Sequence, residues 1–139
     1  MKEAVLLDTG PLVAFLNRRD QYHDWARGAF DEIEPPLLTC EAVLTEACFL
    51  VRGLAGGPEA VAAMVRGGTL VPTFRLADEI EPVARLLRRY SDVPISLADA
   101  CLVRMSEQVA AGIVLTLDAG FRIYRKLGRA TIPTLMPPS

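Results

Sequence analysis

At 139 residues the chain has the length of one domain, and it is too short to be split confidently into two. Hydrophobic residues at 51% against 23% charged exclude a disordered chain, and every apolar stretch is broken by charge or glycine before the roughly 18 residues of a membrane span. A net charge of -2 excludes a protein that holds nucleic acid by its overall field, so an RNA ligand would need a local basic patch.

The opening Met1-Lys2-Glu3 runs straight into an apolar strand over Ala4 to Leu7, with no signal peptide ahead of it. Asp8 ends that strand, and Thr9-Gly10-Pro11 opens a helix with proline where a first turn tolerates it. Tyr22 to Ile33 reads as helix, Pro35-Pro36 as punctuation, and Leu37 to Cys40 as a second strand feeding a helix from about Glu41 to Arg52. Gly56-Gly57-Pro58 turns into a further helix over Glu59 to Arg66, making a helical hairpin whose Val61 and Met64 suggest an uncovered, interface-forming face. Thr69 to Thr73 is strand-like, Leu76 to Tyr90 is helical with Pro82 in its early turns, and a helix follows over Leu97 to Ala110. Ile113 to Leu117 forms a strand ending at Asp118, a basic helix spans Phe121 to Leu127, and Thr131 to Leu135 makes a last edge strand. Alternating strands and helices predict an α/β fold: a three-layer α/β/α sandwich around a mainly parallel sheet of four to five strands, as a single domain over residues 1–139.

Cys40, Cys48 and Cys101 are odd in number and lack CxxC spacing, which reads as buried free thiols in a reducing, cytoplasmic setting. The single His23 has no partner histidine, so a zinc site is excluded and a packing or surface role remains.

Four acids are harder to assign to surface. Asp8 and Asp118 each follow an apolar strand, and in parallel sheets ligands bind beyond the carboxyl ends of strands; helix capping is the competing account. Glu46 sits three or four residues from Ala42, Val43, Phe49 and Leu50, so at about 100° per residue the wheel puts it on the apolar face of its helix. The alternative of a surface glutamate would turn Phe49 and Leu50 to water. Asp99 lies opposite Arg104, Glu107 and Gln108 and beside Leu102 and Val103, although a capping box with Ser96 also accounts for it. Carboxylates that converge without lysines persist as charges only around a cation, and oxygen ligands select Mg²⁺ or Mn²⁺. Such a site suits phosphodiester cleavage.

At these residues the sequence resembles the PIN-domain family, and within it the VapC-type toxins of toxin–antitoxin pairs. The segments LLDTGPLVAFL with Asp8, EAVLTEACFLV with Glu46, ISLADACLV with Asp99 and VLTLDAGF with Asp118 carry the likeness in order and spacing. It implies a metal-dependent endoribonuclease with Asp8, Glu46, Asp99 and Asp118 as catalytic metal site, supported by Thr9 and Thr116. It also implies an RNA substrate, an antitoxin partner and a homodimer. The chain departs from many relatives at Gly120, where a further acid follows Asp118. Arg122, Arg125, Lys126 and Arg129 cluster after Asp118 as candidate RNA-binding residues, whereas Arg85, Arg88 and Arg89 form a second basic group that reads as surface. An aspartate-based phosphatase would need a second acid at Gly10, and a receiver-like domain a lysine that neither Lys2 nor Lys126 supplies; a catalytically silent binding module on the same fold is the remaining alternative.

Overall fold

The computed structural model describes residues 3–138. In chain order the elements are β1 (Ala4–Leu7), α1 (Thr9–Leu16), α2 (His23–Glu32), β2 (Leu37–Thr39), α3 (Glu41–Leu50), α4 (Gly57–Arg66) and β3 (Leu70–Pro72). There follow α5 (Leu76–Arg89), α6 (Leu97–Gln108), β4 (Gly112–Leu115), a 3-10 turn (Ala119–Arg122), β5 (Arg125–Lys126), β6 (Ala130–Thr131) and β7 (Thr134–Leu135). Five strands form one parallel sheet in the order β3-β2-β1-β4-β7, and β5 pairs antiparallel with β6 as a separate hairpin. The predicted α/β/α sandwich with a parallel sheet is the observed architecture.

The alternation of side chains along a strand divides the core in two. Leu6 and Val114 point to one face and pack with Val83, Leu86, Leu102 and Met105 of α5 and α6. Leu7 and Leu115 point to the other and pack with Leu12, Leu37, Val61 and Leu70. Helix α3 straddles the divide: Val43 joins the first cluster, and Ala47 and Val51 the second. Ala42, Leu44 and Cys48 pack half-buried against these clusters, which leaves the opposite face of the helix uncovered. Phe49 and Leu50 are therefore 59% and 53% exposed, against the expectation that they face inward. Val61, expected to be uncovered, is buried in the second core, and Met64 packs half-buried against it.

Helix α5 breaks its dihedrals at Glu79 (φ -115°, ψ 15°), three residues before Pro82, whose ring removes a helical hydrogen bond. The predicted basic helix over Phe121 to Leu127 does not form. The chain makes a 3-10 turn and then reverses at Leu127 (φ 53°) and Gly128 (φ 75°) into the β5–β6 hairpin, so Gly128 acts as a turn residue that no helix would carry through. The segment expected as one edge strand over Thr131 to Leu135 divides at Pro133: Ala130–Thr131 closes the hairpin, and Thr134–Leu135 pairs with β4 as the sheet edge. The three cysteines are free, with Cys40 and Cys101 buried and Cys48 half-buried. Among the described residues no helix is long and apolar enough to cross a membrane.

Candidate active site

The chain winds outward from β1 through β2 to β3 and then returns to place β4 on the opposite side of β1, so the strand order reverses between β1 and β4. Crevices beyond the carboxyl ends of strands at such a reversal are where parallel sheets bind ligands. Register fixes what stands there. Leu7 pairs with Leu115, so the next residues, Asp8 and Thr116, emerge side by side, tied by the Asp8 amide donating to the Leu115 carbonyl at 3.0 Å. The Thr116 hydroxyl donates to Asp8 Oδ2 at 2.6 Å and accepts the Asp118 amide at 2.9 Å, which sets Asp118 beside the first aspartate.

Each of the three aspartates is also a cap. Asp8 Oδ1 accepts the Thr9 amide at 2.8 Å at the start of α1, and Asp118 Oδ1 accepts the Gly120 amide at 2.8 Å at the start of the 3-10 turn. Asp99 and Ser96 form a reciprocal capping box on α6, with Ser96 N donating to Asp99 Oδ2 at 3.1 Å and Asp99 N to Ser96 Oγ at 3.0 Å. Capping and site formation, which compete as explanations in the sequence, operate together here: the cap bonds lock each carboxylate's rotamer. They leave Asp99 Oδ1 and Asp118 Oδ2 without a hydrogen bond among the described residues.

Asp8, Asp99, Asp118 and Glu46 line one pocket of about 400 Å³, together with Thr9, Gly10, Leu50, Ser96 and Leu117, and among the described residues no arginine or lysine lines it. Asp8 and Asp99 are 6% and 7% exposed. Burial pushes the Asp8 carboxyl up to about 6, with Asp99 and Asp118 adding to the rise and hydrogen bonds from Thr116 and Thr9 opposing it. Burial also raises Asp99, helped by Asp118 and opposed by bonds from Ser96 and Tyr124. Glu46 reaches the pocket from exposed α3, with Leu50 one turn further along the same ridge. The expectation that it points inward from an apolar face is therefore corrected: it stands at the rim.

Two observations bear on whether these residues fit a divalent cation. Among the described residues no three His, Cys, Asp or Glu side chains stand close enough to cage an ion by themselves. Against that, the Thr9 hydroxyl is buried in the pocket wall with no hydrogen-bond partner, and the donor set is entirely oxygen. Buried hydroxyls are rarely left unpaired, and hard cations take oxygen ligands. The all-oxygen donor set suits a hard divalent cation rather than a soft one.

A family model, PIN domain, matches residues 5–127. The chain belongs to the PIN-domain family. Ribonuclease VapC26 of Mycobacterium tuberculosis (strain ATCC 25618 / H37Rv) is 28% identical over 127 residues, covering 89% of this chain and 94% of that protein. The crystal structure of Mycobacterium tuberculosis VapC20, a sarcin–ricin loop cleaving toxin, superposes with a TM-score of 0.76 at 22% identity, over 84% of this chain and 91% of that one. That likeness establishes the fold.

Within this PIN domain, sequence reasoning missed Tyr124. Its hydroxyl donates to Asp99 Oδ2 at 3.3 Å, and its ring packs edge-on against Tyr90 and Phe121. No local signal marks it, because 25 residues separate it from Asp99 and only the turn after Asp118 folds it back. Tyr124 also accounts for Gly120: a Cβ there would stand 3.0 Å from both the Tyr124 hydroxyl and Asp118 Oδ1. The basic cluster divides as well. Arg122 and Arg129 are exposed and Lys126 is half-buried, but the Arg125 guanidinium donates to the carbonyls of Arg122, Ile123 and Tyr124 and holds the turn together. His23 Nδ1 donates to the Ala14 carbonyl at 2.8 Å, and the ring takes no part in the pocket.

Proposed function

We propose that this chain is a metal-dependent endoribonuclease, acting as a single unit over residues 1–139 and serving as the toxin of a type II toxin–antitoxin pair. The observation that carries this reading is the pocket lined by four acids, from the end of β1, from α3, from α6 and from the turn after β4, with no basic side chain among the described residues that line it. Asp8, Asp99 and Asp118 would hold Mg²⁺ or Mn²⁺, with Thr9 supplying its unpaired hydroxyl and Thr116 fixing Asp8. When bound, the ion supplies a lowered pKa for an attacking water and charge neutralisation at the scissile phosphate. Glu46 at the rim is the ligand or the acceptor that orients that water and takes its proton. The buried carboxylates, bonded to Thr9, Ser96, Thr116 and Tyr124, keep a fixed geometry while RNA enters. Arg122, Lys126 and Arg129 meet the strand's phosphates beyond the site. A VapC-type ribonuclease relative and a PIN fold shared with an RNA-cleaving toxin support the substrate class. By the same analogy the partners are an antitoxin protein and a second copy of the chain, in a cytoplasmic location compatible with three free thiols.

The test is cleavage of RNA by the purified chain with Mg²⁺ or Mn²⁺, with EDTA, and with Asp99→Asn or Asp118→Asn confirmed folded by circular dichroism. EDTA and either substitution are expected to abolish cleavage. Activity that persists through them overturns the proposal.

A further inference from the structure

Where α5, α6 and the β5–β6 hairpin meet, a second pocket of about 550 Å³ is walled by Arg85, Arg88, Arg89 and Arg104. Their partners differ. Arg104 is held by Glu79 at 2.7 Å and Glu107 at 3.2 Å, and Arg89 donates to the Gly128 carbonyl at 2.9 Å while lying over the Tyr90 ring. Arg85 and Arg88 are exposed and have neither ion pair nor hydrogen bond among the described residues. Glu107 is the one acid lining the pocket, and both its oxygens are engaged, by Arg104 and by the Leu127 amide. Two fixed and two unpaired guanidinium groups thus surround one concavity in a chain whose net charge is -2. Guanidinium forks match phosphate oxyanions in geometry and charge.

The pocket also has a defined relation to the acids. Arg104 and Glu107 lie about 8 and 12 Å along the α6 axis from Asp99 at 1.5 Å per residue. Between them stands the Tyr124–Tyr90 pair, with ring centroids 5.1 Å apart: Tyr124 bonds Asp99, and Tyr90 lies under Arg89. Tyr124, which bonds Asp99, leads directly into the hairpin whose Leu127 and Gly128 wall the arginine pocket.

We propose that the arginine pocket is an exosite that takes backbone phosphates of an RNA strand at a remove from the bond to be cut. The strand leaves the acids across the hairpin, past Arg122 and Arg129, and sets a phosphate between Arg85 and Arg88. This rests on the ribonuclease reading for its substrate. The chemistry it uses is that of any phosphate oxyanion, so the test separates RNA from free anions.

The experiment measures binding of a single-stranded RNA to the full chain carrying Asp118→Asn, across a series of salt concentrations, with and without Arg85→Gln/Arg88→Gln. Each single-strand phosphate contact contributes about 0.7 to the slope of log K against log salt, so losing the one phosphate held between Arg85 and Arg88 is expected to lower the slope by about 0.7. Arg18→Gln/Arg19→Gln, which removes the same charge from the exposed loop after α1, is expected to leave the slope unchanged. An equal fall for both pairs, or no fall for Arg85/Arg88, overturns the exosite. Pyrophosphate binding that depends on Arg85 and Arg88 while the RNA slope is unmoved assigns the pocket to a free anion and overturns the RNA assignment. Cleavage by the wild-type chain reports separately: RNA that binds with the arginine-dependent slope yet is never cut overturns the ribonuclease reading and leaves the exosite standing.

Discussion

Replacing Asp8 with Asn is expected to stabilise the metal-free protein at neutral pH while removing a proposed metal ligand. Burial, with Asp99 and Asp118 behind it, raises the Asp8 carboxyl from 3.8 to about 6 despite the Thr116 and Thr9 hydrogen bonds. A carboxyl that holds its proton more tightly in the folded state than in the unfolded one weakens the fold as pH rises. Below the unfolded value both states are protonated and the group costs nothing. The cost accumulates between those two values and is complete above the higher one. A pKa rise of this size corresponds to about 3 kcal/mol. The neutral, nearly isosteric Asn therefore recovers about 2 to 3 kcal/mol above pH 7, and close to none near pH 4. Urea denaturation in EDTA, comparing wild type with Asp8→Asn at both ends of that range, reads the difference directly. Adding Mg²⁺ is expected to reverse the order, since only the carboxylate gains from the ion. An Asp8→Asn protein destabilised equally at both pH values would refute the reasoning, because the bonds to Thr9 and Thr116 would then outweigh the burial of charge.

Thr116→Val removes the donor to Asp8 and the acceptor of the Asp118 amide at constant shape. It is expected to cost about 2 to 3 kcal/mol in urea denaturation and most of the cleavage rate, with Thr116→Ser restoring both. Tyr124→Phe keeps the ring packing but drops the bond that lowers Asp99, so the acid limb of the kcat/KM pH profile moves to higher pH. An unmoved limb would show that the hydroxyl does not act on Asp99. Gly57→Ala directs a Cβ into the Val51 carbonyl oxygen at the α3–α4 turn, and is expected to cost about 1 to 3 kcal/mol, read as a lowered Tm.

Strand ends carried most of the legible information. Asp8 and Asp118 follow apolar runs, and parallel register alone brings their strands together, so position after a strand was enough to pair them. Glu46 lines the same pocket as the aspartates, but from an exposed face: α3 holds more apolar residues than its two contacts can bury, and a helical wheel does not reveal which ridge wins. Asp99 both caps α6 and lines the pocket, because the bond to Ser96 uses only one carboxylate oxygen. The segment after Asp118 was misread because arginine and lysine favour helices, and that preference hid the turn at Leu127-Gly128. Tyr124, placed by that turn, was lost with it.

Both margins of the sheet are short and interrupted. β3 ends on Pro72, and β7 is two residues between Pro133 and the Met136-Pro137-Pro138 tail. Short margins flanked by proline offer an incoming strand few amides, so pairing with another chain's backbone at these edges is discouraged. Exposed apolar side chains such as Phe49 and Leu50 on α3 give a contact between chains a different route, by side-chain burial.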